Sequence, residues 1–170
     1  SEQLLLPLQL IKLRPDIVHF PSFNVPILYF GKKITTIHDL IKHRSRGPAT
    51  TTRWQPLYWL KYLIYLLVSK WAVVTSSKII VPSLWTKKEL IKQYHLPPEK
   101  IVVTYEGVDN KFKISNLKFQ IEDILSKYNI KKPFVIYTGS LYPHKNIKRL
   151  IEAIKLLKLS LVVVCARNIF

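Results

Sequence analysis

The chain has 170 residues, 48% of them hydrophobic, with 27 Lys and Arg against 10 Asp and Glu, for a net charge of +17. That apolar content is too high for a disordered tail and suffices for one α/β domain or pieces of two. A single cysteine, Cys165, excludes an internal disulfide and reads as a buried core thiol, and no Cys/His cluster has zinc-site spacing.

In chain order, Leu4 to Leu13 reads as a short helix stopped by Arg14-Pro15. Ile17 to Phe20 and Ile34 to His38 are short apolar strands. A loop through Arg44, Gly47 and Pro48 leads to a long helix from about Trp54 to Thr75. Within it, the apolar run Leu57 to Val74 is broken by Lys61, Ser69 and Lys70, so a spanning helix is not expected. Its Trp, Tyr and Lys content would suit a membrane interface, but a core-packed helix is the preferred reading. Lys78 to Val81 is a third strand, and Ser83 an N-cap for a helix to about Tyr94, terminated by Pro97-Pro98. Ile101 to Thr104 is a fourth strand, ending in the turn Glu106-Gly107-Val108-Asp109.

The pattern then restarts. Asn110 to Leu117 is polar and irregular and marks the expected boundary between domains at 1–110 and 111–170. Phe119 to Tyr128 reads as a helix and Phe134 to Thr138 as a strand entering Gly139. The loop Ser140 to Lys145 precedes a helix with the apolar stripe Ile147, Leu150, Ile151, Ile154 and Leu157. Leu159 to Cys165 is a last strand. Short apolar strands alternating with helices predict an α/β fold with parallel sheets covered on both faces. The second unit is too small to bury enough surface by itself. The chain starts at Ser1, has no Met and ends just after the last apolar run, so truncation at both ends is expected.

The basic excess is spread along the chain: 15 basic and 7 acidic residues in 1–109, and 12 and 3 in 110–170. It therefore belongs to the folded surface and suits nucleic acid, anionic lipid or phosphorylated small molecules. Ligands of open parallel sheets bind beyond the carboxyl ends of strands, which selects His38 with Asp39, Glu106 with Gly107, and Gly139. Gly139-Ser140 lets the backbone approach a ligand. Lys145 precedes Asn146, read as the N-cap of the next helix, and that helix end favours an anion such as a diphosphate. No chemistry is assigned to His19, His43 or His95.

Six segments in register carry a resemblance: residues 14–19 (RPDIVH), 36–40 (TIHDL), 78–83 (KIIVPS), 97–103 (PPEKIVV), 106–109 (EGVD) and the run from Tyr137-Thr138-Gly139-Ser140 through His144-Lys145-Asn146 to Ala153. Together the chain resembles family 4 glycosyltransferases of the GT-B fold. The resemblance implies a partial amino-terminal, acceptor-side Rossmann-like domain followed by the start of a second, donor-binding one. It implies a retaining transferase of cell-envelope polysaccharide synthesis, taking a nucleotide-sugar co-substrate with no metal or other cofactor. His38 would be catalytic; Gly139, Ser140, Lys145 and Asn146 would hold the donor diphosphate; Asp39, Glu106 and Gly107 would flank the cleft. The acceptor would be a glycan or lipid-linked sugar. The location would be cytoplasmic, with peripheral contact to an anionic membrane.

The chain departs from the family where Ser140 replaces a frequent basic residue, Glu106 a frequent Asn and Asn146 a frequent Gly. The family's amino-terminal Gly-rich loop would precede Ser1, and its donor-gripping glutamates would follow Phe170, so little or no activity is expected of these residues alone. The alternative is a non-catalytic basic module for nucleic acid or anionic membrane. Strand aromatics such as Phe20 and Tyr137 sit in buried-looking runs and Lys far outnumbers Arg, so specific nucleic-acid binding is not expected.

Overall fold

The computed structural model describes residues 2–44, 54–109 and 118–165, which form two compact units, one within 2–107 and one from 108 onward. The expected loop around Gly47 and Pro48 and the boundary at 110–117 lie outside the described residues.

The first unit is a parallel sheet in the order β1 (Val18–Phe20), β2 (Lys33–Thr36), β3 (Lys78–Val81), β4 (Ile101–Val103). Thr35 lies opposite Ile79, and Ile79 opposite Ile101. Side chains alternate across a strand, so Thr35, Ile79, Val81 and Ile101 point to one face and are buried there. Val73 of the long helix α3 (Gln55–Thr75) and Leu90 of α4 (Leu84–Tyr94) complete that core with Ile37, Leu40 and Leu96. A second cluster joins Phe20, Val25, Tyr29 and Ala72 to Leu6 and Leu10 of α1 (Leu5–Leu13). Each such Ile or Leu contributes roughly 1.5–3 kcal/mol by leaving water. The opposite face departs from expectation. Ile34, Thr36 and Ile80 are half-buried and Val102 is exposed, because α3 and α4 both pack on the same side.

Local signals explain the helix ends. Helix α1 stops at Arg14, whose backbone turns left-handed (φ 49°) just before Pro15. The Ser83 hydroxyl accepts the Thr86 N–H at 3.1 Å, the expected N-cap. Helix α4 ends one step before the prolines, at left-handed His95. A short helix not foreseen in the sequence, α2 (Ile41–Arg44), follows the Asp39 side chain, which accepts the Ile41 N–H at 2.9 Å.

Two expectations about charge and burial change. Lys33 belongs to the interior, not to the charged surface: it is 1% exposed, and its ammonium donates to the Tyr29 carbonyl at 2.8 Å. It lies within cation–π reach of Tyr29 and Trp71, and burial lowers its pKa. Helix α3 packs into the core only through Val68, Ser69, Ala72 and Val73. Trp54, Trp59, Leu60, Leu63 and Leu67 are exposed, so it is not the core-packed helix expected. By length and composition alone α3 could cross a membrane, because two lysines in so apolar a run are not disqualifying.

The second unit contains α5 (Lys118–Lys127), β5 (Phe134–Thr138), α6 (Ile147–Leu157) and β6 (Ser160–Val164). Strands β5 and β6 pair in parallel from Phe134–Ser160 to Thr138–Val164, the βαβ crossover read from the sequence. Of the α6 stripe only Ile154 is buried, while Ile151 and Leu157 are exposed. Cys165 is likewise exposed, because it follows the end of a two-stranded sheet with little packed around it.

Candidate functional site

In the first unit the carboxyl ends of the strands do gather the polar groups. His38 follows β2 and Glu106 follows β4, and they meet across the end of β3: His38 Nδ1 lies 3.1 Å from Glu106 Oε1. A carboxylate only accepts, so the Nδ1 proton sits in that bond and the neutral ring keeps its lone pair on Nε2. Both side chains are more than half exposed. Their attraction therefore contributes about 0–1 kcal/mol, and the pairing serves orientation more than stability. Asp39 is tied to the start of α2 and lies beside His38. Gly107 has open space where a side chain would be and no left-handed backbone, so nothing local requires glycine there.

His38 and Asp39 border a cavity of about 520 Å³. Its wall includes Ser22 and Asn24 after β1, Lys42 of α2, and Lys61, Ile64, Tyr65 and Val68 of α3. The α3 members recur at the i, i+3, i+4, i+7 positions of one helical face. Behind Tyr65 stands a polar link missed in the sequence. His43 is held by the Tyr65 hydroxyl at 2.9 Å on Nδ1 and the Tyr94 hydroxyl at 2.7 Å on Nε2. Burial holds the His43 pKa below its ordinary value and pushes Tyr65 up to about 12 and Tyr94 upward as well. His43 therefore ties α2 to α3 and α4 beside the cavity. No local motif signals this, since the partners lie 22 and 51 residues away.

In the second unit Gly139 ends β5 with φ 138°, a conformation that side chains rarely adopt, and a Cβ there would sit 3.3 Å from the Tyr137 hydroxyl. That hydroxyl donates to the Ser140 carbonyl at 2.6 Å and shapes the loop. Lys145 closes a single 3₁₀ turn, Pro143–Lys145, and is exposed. Asn146 stands where the N-cap was expected, but by a different mechanism. Its backbone is left-handed (φ 56°) and its side chain makes no capping hydrogen bond. The first-turn N–H groups of α6 are thus not taken up by that side chain, and Lys145 stands directly before them. Among the described residues no three His, Cys, Asp or Glu side chains come together as a metal site would need.

Comparison with known proteins decides the family. The profile of glycosyltransferase family 4 matches residues 2–112, well over half of the chain. The chain belongs to glycosyltransferase family 4. It is 26% identical over 143 residues to the O-antigen chain mannosyltransferase B of Escherichia coli, an alignment covering 83% of this chain and 35% of that protein. A solved glycosyltransferase from Rickettsia africae ESF-5 superposes with a TM-score of 0.53 and 21% identity, covering 96% of this chain and 50% of the other. The family 4 chain thus spans a third to a half of the length of these relatives. The shared fold agrees with the α/β, partial GT-B architecture read from the sequence.

Proposed function

We propose that this chain is part of a retaining glycosyltransferase that moves a sugar from a nucleotide-diphosphate donor to a glycan or lipid-linked acceptor. The observation that carries the reading is the His38–Glu106 pair at the carboxyl ends of two parallel strands in a chain of this family. In the reaction the donor's sugar–phosphate bond breaks, the acceptor oxygen takes the sugar, and the nucleoside diphosphate leaves with the bonding electrons. Lys145 and the amino end of α6 would meet the charge that develops on that leaving group, with no resident metal. Gly139 and Ser140 would let the loop close on the phosphates. His38, oriented through Nδ1 by Glu106, would present Nε2 to the reacting sugar, with Asp39 and Gly107 flanking it. The family's E. coli relative is by name an O-antigen mannosyltransferase, which supports a role in cell-envelope polysaccharide synthesis.

The test is calorimetry with UDP-, GDP- and ADP-sugars and a DNA control. Weak binding of one nucleotide class by the 170-residue chain is expected, with little turnover. Lys145→Ala removes a charge-assisted contact worth about 1.5–3 kcal/mol and should weaken donor binding about 10- to 100-fold. In a full-length enzyme His38→Ala should slow transfer more than it weakens donor binding. Unchanged donor affinity in Lys145→Ala would sink the loop assignment, and sequence-selective DNA binding would favour the nucleic-acid alternative.

The exposed Trp, Leu and Lys face of α3, which contains no Asp or Glu, supports a cytoplasmic location against an anionic membrane surface. Co-sedimentation with phosphatidylglycerol vesicles but not phosphatidylcholine vesicles is expected. It should be lost in a Trp59→Ser/Leu63→Ser variant. Equal sedimentation by that variant would refute the contact.

A further inference from the structure

The cavity below His38 has a chemical bias that the family reading does not supply. Two ammonium groups, Lys42 from α2 and Lys61 from α3, stand on its wall against the single carboxylate of Asp39, which is already engaged by the Ile41 N–H. Neither lysine forms an ion pair with another described residue, and neither α2 nor α3 contains an acid to neutralise them. Lys42 is steadied 5.1 Å over the Tyr65 ring, which the His43 link holds in place. The other wall groups, Ser22 and Asn24, can both donate hydrogen bonds. Two unpaired cations and neutral donors around a concave space select an anion. The floor, with Phe23, Ile64 and Val68, is apolar.

We propose that this cavity is the acceptor pocket and that the acceptor carries a phosphate or diphosphate held by Lys42 and Lys61. The proposal rests on the glycosyltransferase reading for the word acceptor, but the anion site itself does not. The phosphate could join the acceptor sugar to a lipid or belong to a soluble sugar phosphate. In either case the reacting hydroxyl would face His38.

The experiment is calorimetric titration of the 170-residue chain with farnesyl diphosphate, inorganic diphosphate and uncharged farnesol. Lys42→Gln/Lys61→Gln should weaken binding of the diphosphates about 10-fold or more. Lys42→Arg/Lys61→Arg should retain it, which guards against a folding defect. Lys88→Gln/Lys92→Gln, two exposed charges on α4, and Lys145→Ala should leave farnesyl diphosphate binding within about twofold. Tighter binding of farnesyl diphosphate than of inorganic diphosphate assigns a lipid-linked acceptor, and equal binding assigns a soluble one. No binding by the unaltered chain overturns the proposal. So does an equal loss in the Lys88/Lys92 control, or retention in the Lys42/Lys61 variant. Loss of nucleotide-sugar binding in Lys145→Ala is read separately, so the donor-loop and pocket assignments can fail independently.

Discussion

The two units of this chain use the same βαβ grammar with very different packing. The first closes a four-stranded sheet under α3 and α4, and its buried apolar side chains span β1 through β4 and the helices between them. In the second unit two strands and α6 bury a single apolar residue, Ile154, among the described ones. Its apolar side chains instead border an open cavity of about 740 Å³ lined by α5, β5 and β6 residues. The candidate sites follow that contrast. His38 is oriented by a partner brought from 68 residues away, which requires a sheet in fixed register. Gly139, Ser140 and Lys145 are neighbours in sequence, and local backbone geometry suffices to place them. A site built from distant residues needs a packed core. A phosphate loop at a helix end does not.

The largest expected effect tests this contrast directly. Ile79 is fully buried in the middle of the first sheet, so Ile79→Ala should cost about 2–5 kcal/mol through lost transfer energy and a cavity. Ile154→Ala, in a layer that can relax, should cost about 1 kcal/mol. All four tryptophans, Trp54, Trp59, Trp71 and Trp85, lie in the first unit. Denaturant titration followed by tryptophan fluorescence should therefore shift for Ile79→Ala and stay in place for Ile154→Ala. Equal shifts would mean that packing density does not set the stability of the two units.

Asn146 offers a smaller and sharper test in the second unit. Serine is as good an N-cap as asparagine, yet it lacks asparagine's tolerance of left-handed backbone, which costs most side chains roughly 1–2 kcal/mol. With φ 56° and no capping bond, Asn146→Gly should be neutral within about 0.5 kcal/mol, whereas Asn146→Ser should cost about 1 kcal/mol. Loss of far-ultraviolet circular dichroism on heating would measure both. The reverse order would restore the side-chain cap inferred from the sequence.

Asn146 also marks the limit of what the sequence discloses. Ser83 was legible because an N-cap is a rule about three adjacent residues, and the structure keeps it. The strands were legible from apolar runs, and their carboxyl ends pointed to His38 and Glu106. Their meeting was not, because it depends on β2, β3 and β4 lying side by side. Lys42, Lys61 and Tyr65 were invisible as a group for the same reason, since only folding brings α2 against α3. Lys33 misled in the other direction. A lysine in a basic chain reads as surface, and only the packing of Tyr29 and Trp71 around it reveals an interior cation.

The smallest expected effect returns to the first unit and concerns pH. Burial holds the folded-state pKa of His43 below the ordinary value of 6.5. Between that lowered value and 6.5 the unfolded chain binds more protons than the folded one, so stability rises with pH. The contribution is complete above about pH 6.5 and is lost as pH falls through the folded value. Protonation would also turn both ring nitrogens into donors, whereas the neutral ring can accept from one tyrosine while donating to the other. Replacing His43 by Gln removes the titration. The difference between the stability curves of the two proteins, followed by tryptophan fluorescence from pH 7.5 downward, should therefore narrow as the solution acidifies. A constant difference would mean that the Tyr65–His43–Tyr94 link does not titrate in this range. The rigidity it lends to the lysine-lined cavity would then be independent of pH.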